Sequence, residues 1–265
     1  MDYEKKRLAL LGCGYLNQIV ANAVIDGTLP EYEIVGVLAR NSKKAKVFAD
    51  HFGCVAYSNI EQLMDLKPDF VAEAASGQAV TDYAETILSG GSNIIILSAA
   101  PLADTKFFEQ IKKTAEENNV KIYLPGGATG AYNLLQTAAL MSKTPIDVTI
   151  TSKKSPHFIN RTLFNSEKLM EITKPERVFT GSAKDILEIN PYVFNVIFST
   201  SYASAGLEDT KFNIDATPQF SGDDYRIEVI GDDVQLDLNI LSQDYSIAGW
   251  SIVAILKNAA STVVF

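Results

Sequence analysis

The stretch LALLGCGYLNQ, residues 8–18, decides how this chain is read. Four apolar residues run into Gly12-Cys13-Gly14, and a helix-compatible segment, LNQIVANAVIDG, follows. Strand, glycine turn and helix in that order form the setting in which paired glycines make an anion site. Gly12 allows the tight turn. Gly14 leaves room for a pyrophosphate to approach the backbone at a helix N-terminus, where free N–H groups and the helix dipole favour negative charge. The third glycine of the G-x-G-x-x-G fingerprint is replaced by Asn17, which predicts a slightly wider helix–strand contact there. Glycines serving only a tight turn are the competing reading, and the complete βαβ unit that follows favours dinucleotide binding.

Outward from this turn, short apolar runs alternate with amphipathic stretches. YEIVGVLAR, VAYS, DFVAEAA, NIIILS and KIYLP read as further strands. Between them lie helical SKKAKVFADHFG with Ser42 as its N-cap, IEQLMDL, AVTDYAETILSG and DTKFFEQIKKTAEEN. Continuous apolar strands separated by helices indicate a parallel sheet covered on both faces, and right-handed crossovers make it a doubly wound, Rossmann-type α/β fold. After Gly126 the rhythm changes. GGATGAYNLLQTAALMSK reads as a helix entered through a glycine turn; DVTITSKK, YVFNVIFSTSYA, TKFNIDATPQF, YRIEVIG and VQLDLNIL read as strands. The expected organisation is a dinucleotide-binding domain over 1–125, a smaller α+β domain over 126–242, and a C-terminal helix within 243–265 that packs back on the first domain.

The chain has 265 residues, 47% hydrophobic and 21% charged, with a net charge of −9, which argues against a nucleic-acid or anionic-membrane partner. Two cysteines, Cys13 and Cys54, are too few for a disulfide framework, lack metal-type spacing and suit a reducing cytoplasm. No run approaches the roughly 20 apolar residues of a membrane span. At the end of the second strand, VLARNSKK carries Ala39 and Arg40 where an acid would hydrogen-bond the adenosine ribose of NAD. Arg40 with Ser42 and the lysines that follow could hold a 2′-phosphate, favouring NADP(H) over NAD(H); a solvated helix start is the alternative.

At EAASGQAV, IIILSAAPLAD and YLPGGATGAYN the chain resembles the L-aspartate dehydrogenase family, with later echoes in TSKKSP, FTGSAKDILEINPYVFNV and NILSQDYSIAGWS. The resemblance implies reduction of an imine formed from oxaloacetate and ammonia, or the reverse oxidation, and a homodimer whose second domain supplies the floor of the substrate cleft. It places Tyr15 and Leu16 at the pyrophosphate turn, and Ala75, Ser76, Leu97 and Ser98 after the fourth and fifth strands. Ala128 and Asn195 would lie near the nicotinamide.

Two departures stand out. The family's PSGAIGGLD turn reads PGGATGAYN here, and the strand expected to carry a catalytic histidine, N-x-H-x-I, reads DDYRI. Tyr225 takes the histidine's place, with Asp224 or Arg226 there if the register slips by one. Only His51 and His157 exist; His51 reads as a surface residue or one packed beside Phe52, and His157 could reach a cleft but suits a solvated loop. A Tyr225 lowered in pKa by Arg226 or Lys153 could donate a proton, and Asp224 could act as base. Lys153, Lys154 and Arg161, clustered around TSKKSP, and Arg226 are candidates for a substrate carboxylate, with a solvated face the alternative for Lys153 and Lys154. Other small amino or keto acids, and NADP(H) binding without turnover, remain rival functions.

Overall fold

The structure, a computed structural model, describes residues 4–265. The chain divides into two compact units, one of residues 4–127 with 248–265 and one of residues 128–247.

The first unit is built from β1 (Lys6–Leu11), α1 (Tyr15–Ile25), β2 (Tyr32–Leu38), α2 (Ser42–Phe52), β3 (Val55–Tyr57), α3 (Ile60–Met64), β4 (Phe70–Glu73), α4 (Gly77–Ser89), β5 (Asn93–Ile96), α5 (Thr105–Glu117) and β6 (Ile122–Tyr123). The six strands lie in the order β3-β2-β1-β4-β5-β6, all parallel. This is the doubly wound arrangement, with its switch point between β1 and β4. The continuous apolar strands are buried because helices cover both faces of the sheet: Leu8, Leu10, Ala72 and Ile95 share one core with Val20, Ala21 and Phe48.

The second unit holds α6 (Tyr132–Met141), β7 (Asp147–Lys154), α7 (Pro156–Ile159), β8 (Glu176–Ser182), α8 (Ala183–Ile189), α9 (Asn195–Tyr202), β9 (Thr210–Ala216), β10 (Asp223–Ile230) and β11 (Gln235–Ser242). Its five-stranded mixed sheet runs β11-β10-β7-β9-β8. Residues alternate strictly on β7 and β10. Val148, Ile150, Ser152 and Lys154 of β7, with Asp223, Tyr225, Ile227 and Val229 of β10, are buried on one face.

Three sequence expectations are corrected. YVFNVIFSTSYA is not a strand: most of it is α9, which buries the consecutive residues Ile197, Phe198, Ser199, Thr200 and Ser201 and so carries no amphipathic pattern that would announce a helix. Tertiary packing overrides the β-branched and aromatic content that suggested a strand. β8 and α8 form where no element was assigned, closed by a capping box between Ser182 and Asp185. The N-cap of α2 is Asn41, whose side chain accepts the Lys44 N–H; Ser42 is the first helical residue.

The last helix, α10 (Ser246–Ala260), places Ile252, Val253 and Leu256 in the core of the first unit. Gly249 meets α1 so closely that an added Cβ would lie 2.8 Å from Ile19 and 3.1 Å from the Leu16 carbonyl. The buried Tyr32 hydroxyl donates to the Leu256 carbonyl at 2.8 Å. Among the described residues no helix is long and apolar enough to cross a membrane. Tyr32→Phe leaves that carbonyl without its donor and is expected to cost about 1–2 kcal/mol, measured by denaturant unfolding.

Candidate active site

The turn between β1 and α1 shows two glycines in different situations. Gly12 sits at φ +103°, and a Cβ there would lie 2.7 Å from the Ala74 carbonyl and 3.0 Å from the Ala75 Cβ. Gly14 has ordinary φ, and a Cβ on it would meet open space. Gly12 is therefore required by the protein itself. Gly14 is required by nothing in the chain and keeps clear the N-terminus of α1, a helix with no acidic residue in its first turn. That is the space a pyrophosphate needs. Tyr15 is exposed and Leu16 half-buried beside it.

Asn17 does not simply widen the contact. It is fully buried, and its Nδ2 donates to both the Leu11 carbonyl at 3.0 Å and the Gly12 carbonyl at 2.9 Å. The amide pins the turn to the end of β1, a task a glycine could not perform.

Beyond β4 and β5, the loop residues Ala75, Ser76 and Ser98 are gathered by the buried carboxylate of Glu73, which accepts from all three. Burial raises the Glu73 pKa, and the four donors oppose that rise. The Ser76 hydroxyl also caps α4, accepting the Ala79 N–H at 3.2 Å. Leu97 is half-buried next to Ser98. Glu73 was missed in the sequence, although an acid ending an otherwise apolar strand, FVAE, is a visible signal.

A groove of about 680 Å³ opens between α1 and α2, lined by Gly14, Tyr15, Lys43, Lys44, His51 and Phe52 among others. Arg40 and Ser42 are exposed at the start of α2, whose first turn carries no acid. His51 is exposed and packs edge-on against Phe52 at 4.6 Å.

In the second unit the structure separates residues that the sequence grouped. Tyr225 lies on the buried face of the sheet, whereas Asp224 and Arg226 project from the opposite one, as the alternation of a strand dictates. On that outer face Lys153 pairs with Asp224 at 2.9 Å, and Arg226 pairs with Asp237 at 2.7 Å and Glu228 at 3.1 Å. The neighbour of Tyr225 is neither Lys153 nor Arg226 but Lys154, whose Nζ is 4.8 Å from the ring centroid and 2.6 Å from Asp223 Oδ1. Burial works against the Lys154 charge, but Tyr225 and Asp223 outweigh it and raise its pKa. Burial also raises the Tyr225 phenol, against the pull of Lys154, so the expected lowering is not found.

A second tyrosine completes this cluster. Tyr132, its pKa raised by burial, bonds Thr129 at 3.2 Å, and Thr129 bonds Thr200 of α9 at 3.3 Å. Ala128 is buried beside Thr129, and Asn195 is the first residue of α9. His157 is exposed on α7. Asp223 is legible in principle, since strand parity places it on the face of Tyr225; Lys154 lies on β7 and reaches that face through the β7–β10 pairing.

The comparisons with known proteins agree with this architecture. A profile described as "Aspartate dehydrogenase, C-terminal" matches residues 133–259, and one described as "Homoserine dehydrogenase, NAD binding domain" matches 12–125. The L-aspartate dehydrogenase of Methanocaldococcus jannaschii is 31% identical over 199 residues, 75% of this chain and 74% of that protein. That of Methanocella arvoryzae is 29% identical over 231 residues, 85% and 84% of the two chains. The crystal structure of aspartate dehydrogenase from Thermotoga maritima shares the fold with a TM-score of 0.77 at 23% identity, covering 99% of this chain and all of that one. Fold and site thus define a nicotinamide-dependent oxidoreductase. The chain belongs to the L-aspartate dehydrogenase family.

The two glycines separate fold from ligand. Gly12→Ala is expected to lower the melting temperature, because both the positive φ and the Ala74 carbonyl oppose a side chain. Gly14→Ala is expected to melt like the parent and to lose at least tenfold in dinucleotide affinity, measured by calorimetric titration.

Proposed function

We propose that this protein is an aspartate-dehydrogenase-like, NAD(P)-dependent amino-acid dehydrogenase: oxaloacetate and ammonia give an imine that is reduced to L-aspartate, or the reaction runs in reverse. The observation that carries this reading is the cleared N-terminus of α1 at Gly14, which nothing in the chain needs to be empty. The nicotinamide, when bound, supplies or accepts the hydride. The chain has to bind it, hold the substrate and move a proton.

Gly12, Asn17 and the Glu73-held loops shape the dinucleotide site. Arg40, Lys43 and Lys44 at the start of α2 supply positive charge where the ribose 2′-position of the adenosine half would come, which favours NADP(H). Their charge is not consumed by acids in the same turn.

Tyr225 is the proposed proton donor. Its raised pKa keeps the phenol protonated at neutral pH, and the Lys154 ammonium beside the ring favours the phenolate left after donation. Lys154 is held in place by Asp223. A second reading, a different small amino or keto acid as substrate, is favoured by the same residue: a buried phenol in place of an imidazole presents a different donor and a different shape.

NADPH oxidation by the purified protein with oxaloacetate and ammonium, repeated with NADH, tests the assignment. Turnover that needs ammonium is expected. Arg40→Ala should raise KM for NADPH about tenfold, the worth of one charge-assisted contact, with KM for NADH changing far less. Tyr225→Phe should lower kcat by about 10²-fold or more while dinucleotide affinity is kept. Turnover without ammonium, or only with other keto acids, would move the assignment to the second reading.

A further inference from the structure

Glu73 ends β4 with a fully buried side chain, at the carboxyl edge where an open parallel sheet meets its ligands. Its Oε1 accepts the Ala75 N–H at 2.7 Å, the Ser76 N–H at 3.0 Å and the Ser98 hydroxyl at 2.9 Å, and its Oε2 accepts the Ser98 N–H at 2.9 Å. One carboxylate thereby joins the turn after β4 to the turn after β5. No charged side chain takes part: Leu11 on β1 and Ile96 on β5 flank it, and the donors belong to alanine and serine. Three of the four donors are backbone N–H groups, which cannot reverse. The Ser98 hydroxyl is the one donor that could also serve as an acceptor. With its hydrogen committed to Glu73, it offers only lone pairs to anything that approaches from outside.

The strand order fixes which end of a dinucleotide would approach. With the pyrophosphate turn after β1 and the adenosine half on β1-β2-β3, the half built on β4-β5-β6 takes the other mononucleotide. We propose that Glu73 is a positioning residue for the nicotinamide end of the cofactor, acting through Ser98, whose hydroxyl it holds as an acceptor matched to a carboxamide N–H₂ and mismatched to a carboxylate. This rests on the dinucleotide reading of the site. It adds a selectivity: the site distinguishes nicotinamide dinucleotides from their nicotinic-acid counterparts, whose carboxylate would set lone pairs against lone pairs.

Calorimetric titration of the whole protein with NAD or NADP, whichever binds more tightly, with its nicotinic-acid analogue and with ADP-ribose tests this. The carboxamide form is expected to bind at least tenfold more tightly than the carboxylate form. Ser98→Ala should collapse that ratio towards one while ADP-ribose binding, which reports the intact adenosine half, is kept. In Glu73→Gln an amide N–H₂ faces the Ser98 N–H, a donor against a donor, so the ratio should fall by roughly fivefold. The same change in the Ser98→Ala background should leave the ratio where Ser98→Ala alone put it, because Glu73 acts through that hydroxyl. A ratio unmoved by Ser98→Ala overturns the inference, even if Glu73→Gln does not fold. So does equal binding of the two forms by the parent protein, or an equal effect of Glu73→Gln with and without the hydroxyl. A parent protein that binds neither dinucleotide overturns the cofactor reading itself, and the inference with it.

Discussion

The absent side chain at Gly12 is the constraint on which the first unit depends. The turn leaving β1 passes so close to the Ala74 carbonyl that a Cβ would stand 2.7 Å from it, well inside van der Waals contact. That approach brings the end of β1 against the end of β4, the two strands whose helices leave in opposite directions. Around it the chain has placed two polar groups that hold the junction from either side. Asn17 grips the carbonyls of Leu11 and Gly12 from α1, and Glu73 gathers the turns after β4 and β5. A buried carboxylate is costly unless its partners are supplied, and three backbone N–H groups and the Ser98 hydroxyl supply them for Glu73; backbone carbonyls supply them for the Asn17 Nδ2, while the Asn17 Oδ1 is buried without a partner.

The sheet of the second unit uses its two faces for different chemistry. One face carries pairs of opposite charge, Lys153 with Asp224, Arg177 with Asp215 and Arg226 with Asp237, arranged across neighbouring strands and half open to water. Such pairs contribute little to stability. The other face is mostly apolar, and its buried charges lie at one end, where Lys154, Asp223 and Tyr225 are enclosed together. A buried ion pair seldom improves on apolar packing, so its presence at one end of the face is better explained by what the charge does to the neighbouring phenol than by stability.

The doubly wound sheet is legible in the sequence alone. Its strands are continuous apolar runs, its helices are amphipathic, and the paired glycines fall at the first junction between the two patterns. The family resemblance was legible for the same reason, since the motifs fall in order along nearly the whole chain. The second unit was read less well. YVFNVIFSTSYA has the composition of a strand and becomes α9, because a short β-rich segment is decided by the surface it must cover rather than by its own preference. Residues 176–189 formed a strand and a capped helix that no periodicity announced.

The sequence by itself determined the parallel sheet, the glycine turn between β1 and α1, and the family, all of which rest on local pattern and on residues adjacent in the chain. Tertiary structure alone decided which polar groups meet. Asp224, Tyr225 and Arg226 are consecutive, yet the pleat sends the middle one to a different face from its neighbours, and its partner Lys154 comes from a strand 71 positions away in register terms set only by pairing. Glu73 and Ser98 are 25 residues apart and meet because two parallel strands end side by side. Contacts of that kind depend on register and strand order, which no short stretch of sequence contains.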